Sequence, residues 1–109
     1  MKDKSIIAKM YQYTIKLIDY SSGYTYECFI ADTKLVEDCV FNLIQLGELC
    51  RIAEDSLLQA YPEIPWREMY GLRNRIVHDY EGVNFRLVWE IISEDIPELR
   101  KMIEKRIQE

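Results

Sequence analysis

A chain of 109 residues, 49% of them apolar, can build one core and leaves no room for a second catalytic domain. A formal net charge of −5 and a pI near 4.9 exclude a protein that coats nucleic acid, because that task needs a basic face to displace counterions. Cys28, Cys39 and Cys50 form no CxxC pair and fit neither a disulfide framework nor the usual zinc spacings, so a reducing, cytoplasmic setting is expected. Their spacing of eleven would align them on one helix, and small buried apolar side chains account for it. Lys9, Gln12 and Lys16 interrupt the N-terminal apolar residues, which excludes a signal-peptide core. No stretch reaches the roughly 20 apolar residues needed to cross a bilayer.

Asp3 or Ser5 can cap a first helix running to about Tyr20, with Ile7, Met10, Tyr11, Leu17 and Ile18 on one face. Ser21-Ser22-Gly23 ends it. Tyr24 to Ala31 reads as a loop or a short helical turn, after which Asp32 caps a long helix reaching Leu57 or Ala60. Gly47 falls inside that helix, where glycine costs about 1 kcal/mol against alanine, so close packing on another helix is the expected reason for it. Glu48 beside it is either solvated or turned into a site. Tyr61-Pro62-Glu63-Ile64 is a short connector with apolar residues that can pack. Asn84 can cap a further helix with Leu87, Val88, Ile91 and Ile92 inward. Pro97 must interrupt it and suits the first turn of a last helix carrying Leu99, Met102, Ile103 and Ile107. Lys101, Lys105 and Arg106 complement that helix's negative end. With no strand alternation, repeat or glycine-rich phosphate loop, the fold expected is all-α, an up-and-down bundle of four to five helices in a single domain over residues 1–109.

Residues 65–80 stand out, because they hold the only histidine and three arginines within an apolar helical period. Pro65 or Trp66 starts the helix and Glu81-Gly82 ends it. Trp66, Met69, Tyr70, Arg73, Ile76, Val77 and Tyr80 recur at three- and four-residue steps. Between Arg67 and Arg86, four arginines face three acids (Glu68, Asp79, Glu81), so this neighbourhood is slightly basic within an acidic molecule.

The string Arg73-Asn74-Arg75-Ile76-Val77-His78-Asp79-Tyr80 reads R-N-x-x-x-H-x-Y. It resembles the signature of the HEPN superfamily, specifically its HepT-like toxin ribonucleases. The likeness extends to Pro62-x-x-Pro65-Trp66, to Gly47-Glu48 in the preceding helix, and to Trp89 with Asp95-Ile96-Pro97, and so covers essentially the whole chain. It implies a metal-independent RNA endonuclease with no cofactor, paired as a homodimer so that both motifs line one cleft. A HepT/MntA-type, type VII-like toxin–antitoxin system is implied too, in which a partner nucleotidyltransferase antitoxin transfers AMP to Tyr80. Phosphate charge added there would repel RNA.

The residues themselves can support such chemistry. His78 can exchange a proton near neutral pH, and Arg73 offers planar, permanently charged donors to phosphate oxygens. Attack by the ribose 2′-OH needs a base for its proton and cations for the developing phosphoryl charge, and it selects RNA over DNA. Asn74 and Arg75 are the expected positioning groups, Arg75 through its charge. The lack of a second histidine or an aligned acidic cluster points away from a metal nuclease. Positions five apart on a helix diverge by about 140°, so Arg73 and His78 do not share a face. Either the helix ends or distorts near His78, or a second copy completes the site and supplies a second histidine. Two other readings stay open. One is a non-catalytic module that binds nucleotide or RNA beside a nucleotidyltransferase. The other is a structural dimerisation protein with Trp66, Tyr70 and Trp89 in its core or interface.

Overall fold

The computed structural model describes residues 3–78, 82 and 84–107, and each regular element among them is a helix. The long α1 (Asp3–Ser21) buries Ile6, Ile7, Met10, Thr14 and Leu17. Thr14 donates its hydroxyl to the Tyr11 carbonyl at 2.6 Å, so this buried polar residue stays satisfied. Gly23 turns the chain with φ of +81°, a conformation other residues rarely adopt. The ambiguous stretch that follows is α2 (Tyr26–Ala31), capped by Thr25. Asp32 then caps α3 (Thr33–Ile52), its carboxylate accepting from the Leu35 N–H at 3.0 Å.

The long helix is shorter than its period suggests. Ala53 and Glu54 are extended, with ψ of 132° and 161°, and a separate α4 (Asp55–Ala60) follows. Beyond the break, Leu57 is 1% exposed and joins the core. The connector packs as expected. Trp66 donates its indole N–H to the Tyr61 carbonyl at 3.0 Å, and Glu63 pairs with Arg106 at 2.7 Å. α5 (Trp66–His78) begins at Trp66, directly after Pro65.

Asn84 caps α6 (Phe85–Glu90), accepting from the Leu87 N–H at 3.1 Å. The chain then passes through a π-helical stretch, Ile91–Asp95, into α7 (Ile96–Ile107) without leaving helical geometry. Pro97 is the second residue of α7, directly after that stretch. The interruption is therefore a widened turn, not a break: the Ile96 N–H reaches the carbonyl five residues back, at Ile91. Inward residues Val88, Ile92 and Ile96 step by four, and each such step over-rotates an α-helix by about 40°. The wider π turn absorbs that drift and keeps Ile96, Leu99 and Ile103 in the core.

α1 packs on α3 and α7, and α3 packs on α5 in the most extensive contact of the fold. Several apolar positions on the expected faces stay outside the core. Ile107 is 59% exposed, and Tyr70 and Val77 of α5 are also exposed, whereas Leu72 packs inward. The α3 surface is too narrow to cover the full apolar arc of α5. Cys39 and Cys50 are buried in α3, but Cys28 lies exposed on α2, so the three do not share a helix.

Candidate active site

α5 lies against α3 at Gly47. A Cβ built there would stand 2.9 Å from the Met69 carbonyl oxygen and 3.0 Å from Arg73 Cγ, with Arg73 Cβ closer still. The backbones approach as closely as they do because position 47 has no side chain. Cys50 Sγ meets Met69 Sδ at 4.0 Å one turn along, which makes the two helices antiparallel.

This close approach brings Glu48 to Arg73. Glu48 Oε2 lies 3.3 Å from Arg73 Nη2, and Glu48 Oε1 accepts from Arg51 Nε at 2.8 Å. Glu48 Oε2 and Arg73 Nε are buried without hydrogen-bond partners, so the Glu48–Arg73 contact is an ion pair lacking hydrogen-bond alignment. Hydrogen bonding from Arg51, with the Arg51 and Arg73 charges adding, holds Glu48 below the usual carboxylate range against some desolvation. Sequence alone left Glu48 undecided, and its placement follows from its neighbour: a residue flanking a mid-helix glycine that admits a second helix is carried toward that helix. Arg51 gave no such signal.

On its other side Arg73 donates Nη1–H to Asn74 Oδ1 at 2.8 Å. Asn74 in turn lines a pocket of about 350 Å³ with Leu72, Arg75, Ile76 and His78, across from Gly82, Asn84 and Leu87. The motif therefore divides between two faces. Asn74, Arg75 and His78 share the pocket, with His78 and Arg75 exposed, while Arg73 sits beside Glu48 and reaches the pocket through Asn74. α5 remains α-helical through His78, so no distortion rotates the histidine toward Arg73. Tyr80, Asp79 and the expected stop at Glu81 lie outside the described residues, and Gly82 occupies a turn. Leu72, Asn84 and Leu87 were not anticipated as pocket residues, because their part in it depends on how α6 is placed against α5.

Among the described residues, no three His, Cys, Asp or Glu side chains gather as a metal site, and no helix is long and apolar enough to cross a membrane. Chemically, the arrangement offers a restrained guanidinium, an amide linking it to an open pocket, and an accessible imidazole within that pocket. A guanidinium carries five N–H donors. Glu48 and Asn74 engage two of its nitrogens, and the Arg73 side chain stays 23% exposed, so donors remain for an anionic ligand.

Comparison with known proteins bears out the family resemblance. The chain is 35% identical over 92 residues to the "Probable ribonuclease HepT" of Thermococcus cleftensis, an alignment covering 84% of each protein. It is 34% identical over 92 residues to an RNase-named protein of Caldanaerobacter subterraneus subsp. tengcongensis, covering 84% of this chain and 82% of that one. An RNase-named protein of Methanocaldococcus jannaschii is 33% identical over 89 residues, 81% of each. No solved structure matches the chain. The family described as "Ribonuclease HepT-like" matches residues 10–106, which hold both the Gly47–Arg73 helix contact and the pocket around His78, and the chain belongs to that family.

Proposed function

We propose that the chain is a metal-independent RNA endonuclease that works as a homodimer. The observation that carries this reading is the link from Arg73 through Asn74 to the pocket holding His78. In the reaction the ribose 2′-oxygen attacks phosphorus while the bond to the 5′-oxygen breaks, leaving a 2′,3′-cyclic phosphate and a 5′-hydroxyl. One His78 takes the 2′-OH proton and another returns a proton to the departing oxygen. Arg73 stabilises the phosphoryl oxygens, and Arg75 adds positive charge at the pocket. Glu48 and Asn74 restrain Arg73, which leaves less side-chain freedom to be lost when substrate binds.

The divergence of Arg73 and His78 on one α5 favours a second copy, since two antiparallel motifs can offer each phosphate an arginine from one chain and a histidine from the other. The faces flanking the Glu48–Arg73 pair suit such a contact. Phe41 is 58% exposed on the α3 stripe with Ile44 and Glu48, and Val77 is 46% exposed on the α5 stripe with Tyr70 and Arg73. These apolar residues surround a charged centre, as at many interfaces. The physiological role proposed is that of a toxin in a type VII-like toxin–antitoxin system, silenced when a partner nucleotidyltransferase transfers AMP to Tyr80.

The test is cleavage of a mixed RNA by purified chain in EDTA, after an intact-mass check for added AMP, with His78→Ala alongside. Cleavage by the wild type that is lost in the mutant supports the proposal. A folded, unmodified wild type that binds RNA and leaves it intact would move the function to the non-catalytic binding module.

A further inference from the structure

The flank of α5 beyond Leu72 opens onto a second space unconnected with any step above. α7 does not close onto α5, and a groove of about 280 Å³ runs between them, bordered by the π-helical stretch. Ile96 and Leu99, each 3% exposed, form its floor. Met69, Leu72, Ile91 and Met102, all half-buried, form its walls. Its volume is near the lower end of the roughly 300–1,000 Å³ typical of small-molecule sites, and its walls carry no cluster of polar groups to orient a cofactor. Apolar side chains reaching in from another protein are the better match.

Three exposed carboxylates rim the groove: Glu68, Asp95 and Glu98. Glu68 stands in the first turn of α5, but Asp95 and Glu98 lie within helix that runs on unbroken from the π stretch into α7, so the helix dipole accounts for Glu68 alone. It does not account for a half-exposed Met, Leu and Ile trough laid between them. Glu98 lies 3.4 Å from Lys101, whereas Glu68 and Asp95 form no ion pair with any described residue. Such a rim repels phosphate and acidic partners and attracts cations. Two methionines, one on each wall, let the trough adapt to the shape of an inserted side chain.

We propose that this groove docks a basic amphipathic helix of a partner protein. Aliphatic side chains spaced three and four residues apart would seat between Met69, Leu72 and Met102, with flanking Lys or Arg meeting Glu68 and Asp95. Leu72 borders both this groove and the pocket of Asn74 and His78, so the docked helix would lie next to that pocket. The inference does not depend on RNA cleavage.

The probe is a labelled synthetic helix of about 18 residues, long enough to hold helical structure. It carries Leu on one face and Lys on both flanks, and it is titrated with the full chain by fluorescence anisotropy. Saturable binding in the micromolar range is expected, weakened about tenfold or more by Met102→Glu and by the pair Glu68→Lys/Asp95→Lys. The pair alters exposed residues only, so it remains informative if the Met102 variant unfolds. Glu27→Lys/Glu54→Lys, which changes net charge equally at exposed sites elsewhere, should leave affinity within about twofold. Absence of saturation at about 100 μM overturns the proposal. So does equal weakening by the remote pair, which would reduce the effect to net charge. Concentration-dependent self-association abolished by Met102→Glu would also overturn it, by giving the groove to a second copy.

Discussion

Replacing Gly47 with alanine sets two effects of known size against each other. Alanine is favoured over glycine inside a helix by about 1 kcal/mol, so propensity alone makes the variant more stable. The new Cβ, however, would stand 2.9 Å from the Met69 carbonyl oxygen and 3.0 Å from Arg73 Cγ. Carbon contacts prefer about 3.5–4.0 Å, and the Met69 oxygen belongs to a backbone that cannot swing aside, so α3 and α5 must part by roughly half an ångström or more. Overpacking of that kind costs about 1–3 kcal/mol, which leaves a net loss of up to about 2 kcal/mol. Gly71, inside α5, is the internal control: a Cβ there meets nothing within 4 Å, so Gly71→Ala should gain up to about 1 kcal/mol. Urea midpoints at one fixed protein concentration, with unchanged m-values, give both numbers. A Gly47→Ala chain as stable as Gly71→Ala would refute the close helix approach.

Glu48→Gln should slow RNA cleavage in a wild-type background yet have little further effect in Arg73→Ala, because Glu48 acts through the guanidinium. Equal losses in both backgrounds would separate the two residues. In the native protein one thiol, exposed Cys28, should react with a thiol reagent, since burial pushes both Cys39 and Cys50 up to about 12. Three fast-reacting thiols by mass spectrometry would contradict the packing of α3. Hydrogen bonding from Arg106 holds Glu63 below its ordinary value of 4.5. A carboxylate depressed by folding contributes stability above its ordinary pKa and loses it as pH falls through the folded one. Glu63→Gln should therefore be destabilised at neutral pH and converge on wild type in acid, and a gap that stays constant across the titration would dismiss the pair.

What could be read from the sequence is what local chemistry decides. Asp32 and Asn84 announce their helices because a cap needs only its own side chain and an N–H three residues on. Gly47 announced a helix contact because nothing else explains a glycine there, and the R-N-x-x-x-H run marked the end of α5 that carries the pocket. What stayed hidden depends on distant parts of the chain. The break at Ala53 and Glu54 carries no glycine or proline that would signal it. Pro97 showed that the last helix must be disturbed, but the choice of a π turn follows from keeping Val88, Ile92 and Ile96 on one side of a core formed with α1. Tyr70 and Val77 have an ideal period for burial and remain exposed, because periodicity gives the width of an apolar face and not the width of its cover. The pairing of Glu48 with Arg73 joins residues 25 positions apart and needed the helix register before it could be seen.

His78 is the sole imidazole in the chain, and it stands exposed at the end of α5 beside the pocket. The protein therefore carries a built-in spectroscopic label. Its two ring C–H resonances in a simple NMR spectrum come from one residue, so their shift and broadening would report any ligand that enters that pocket.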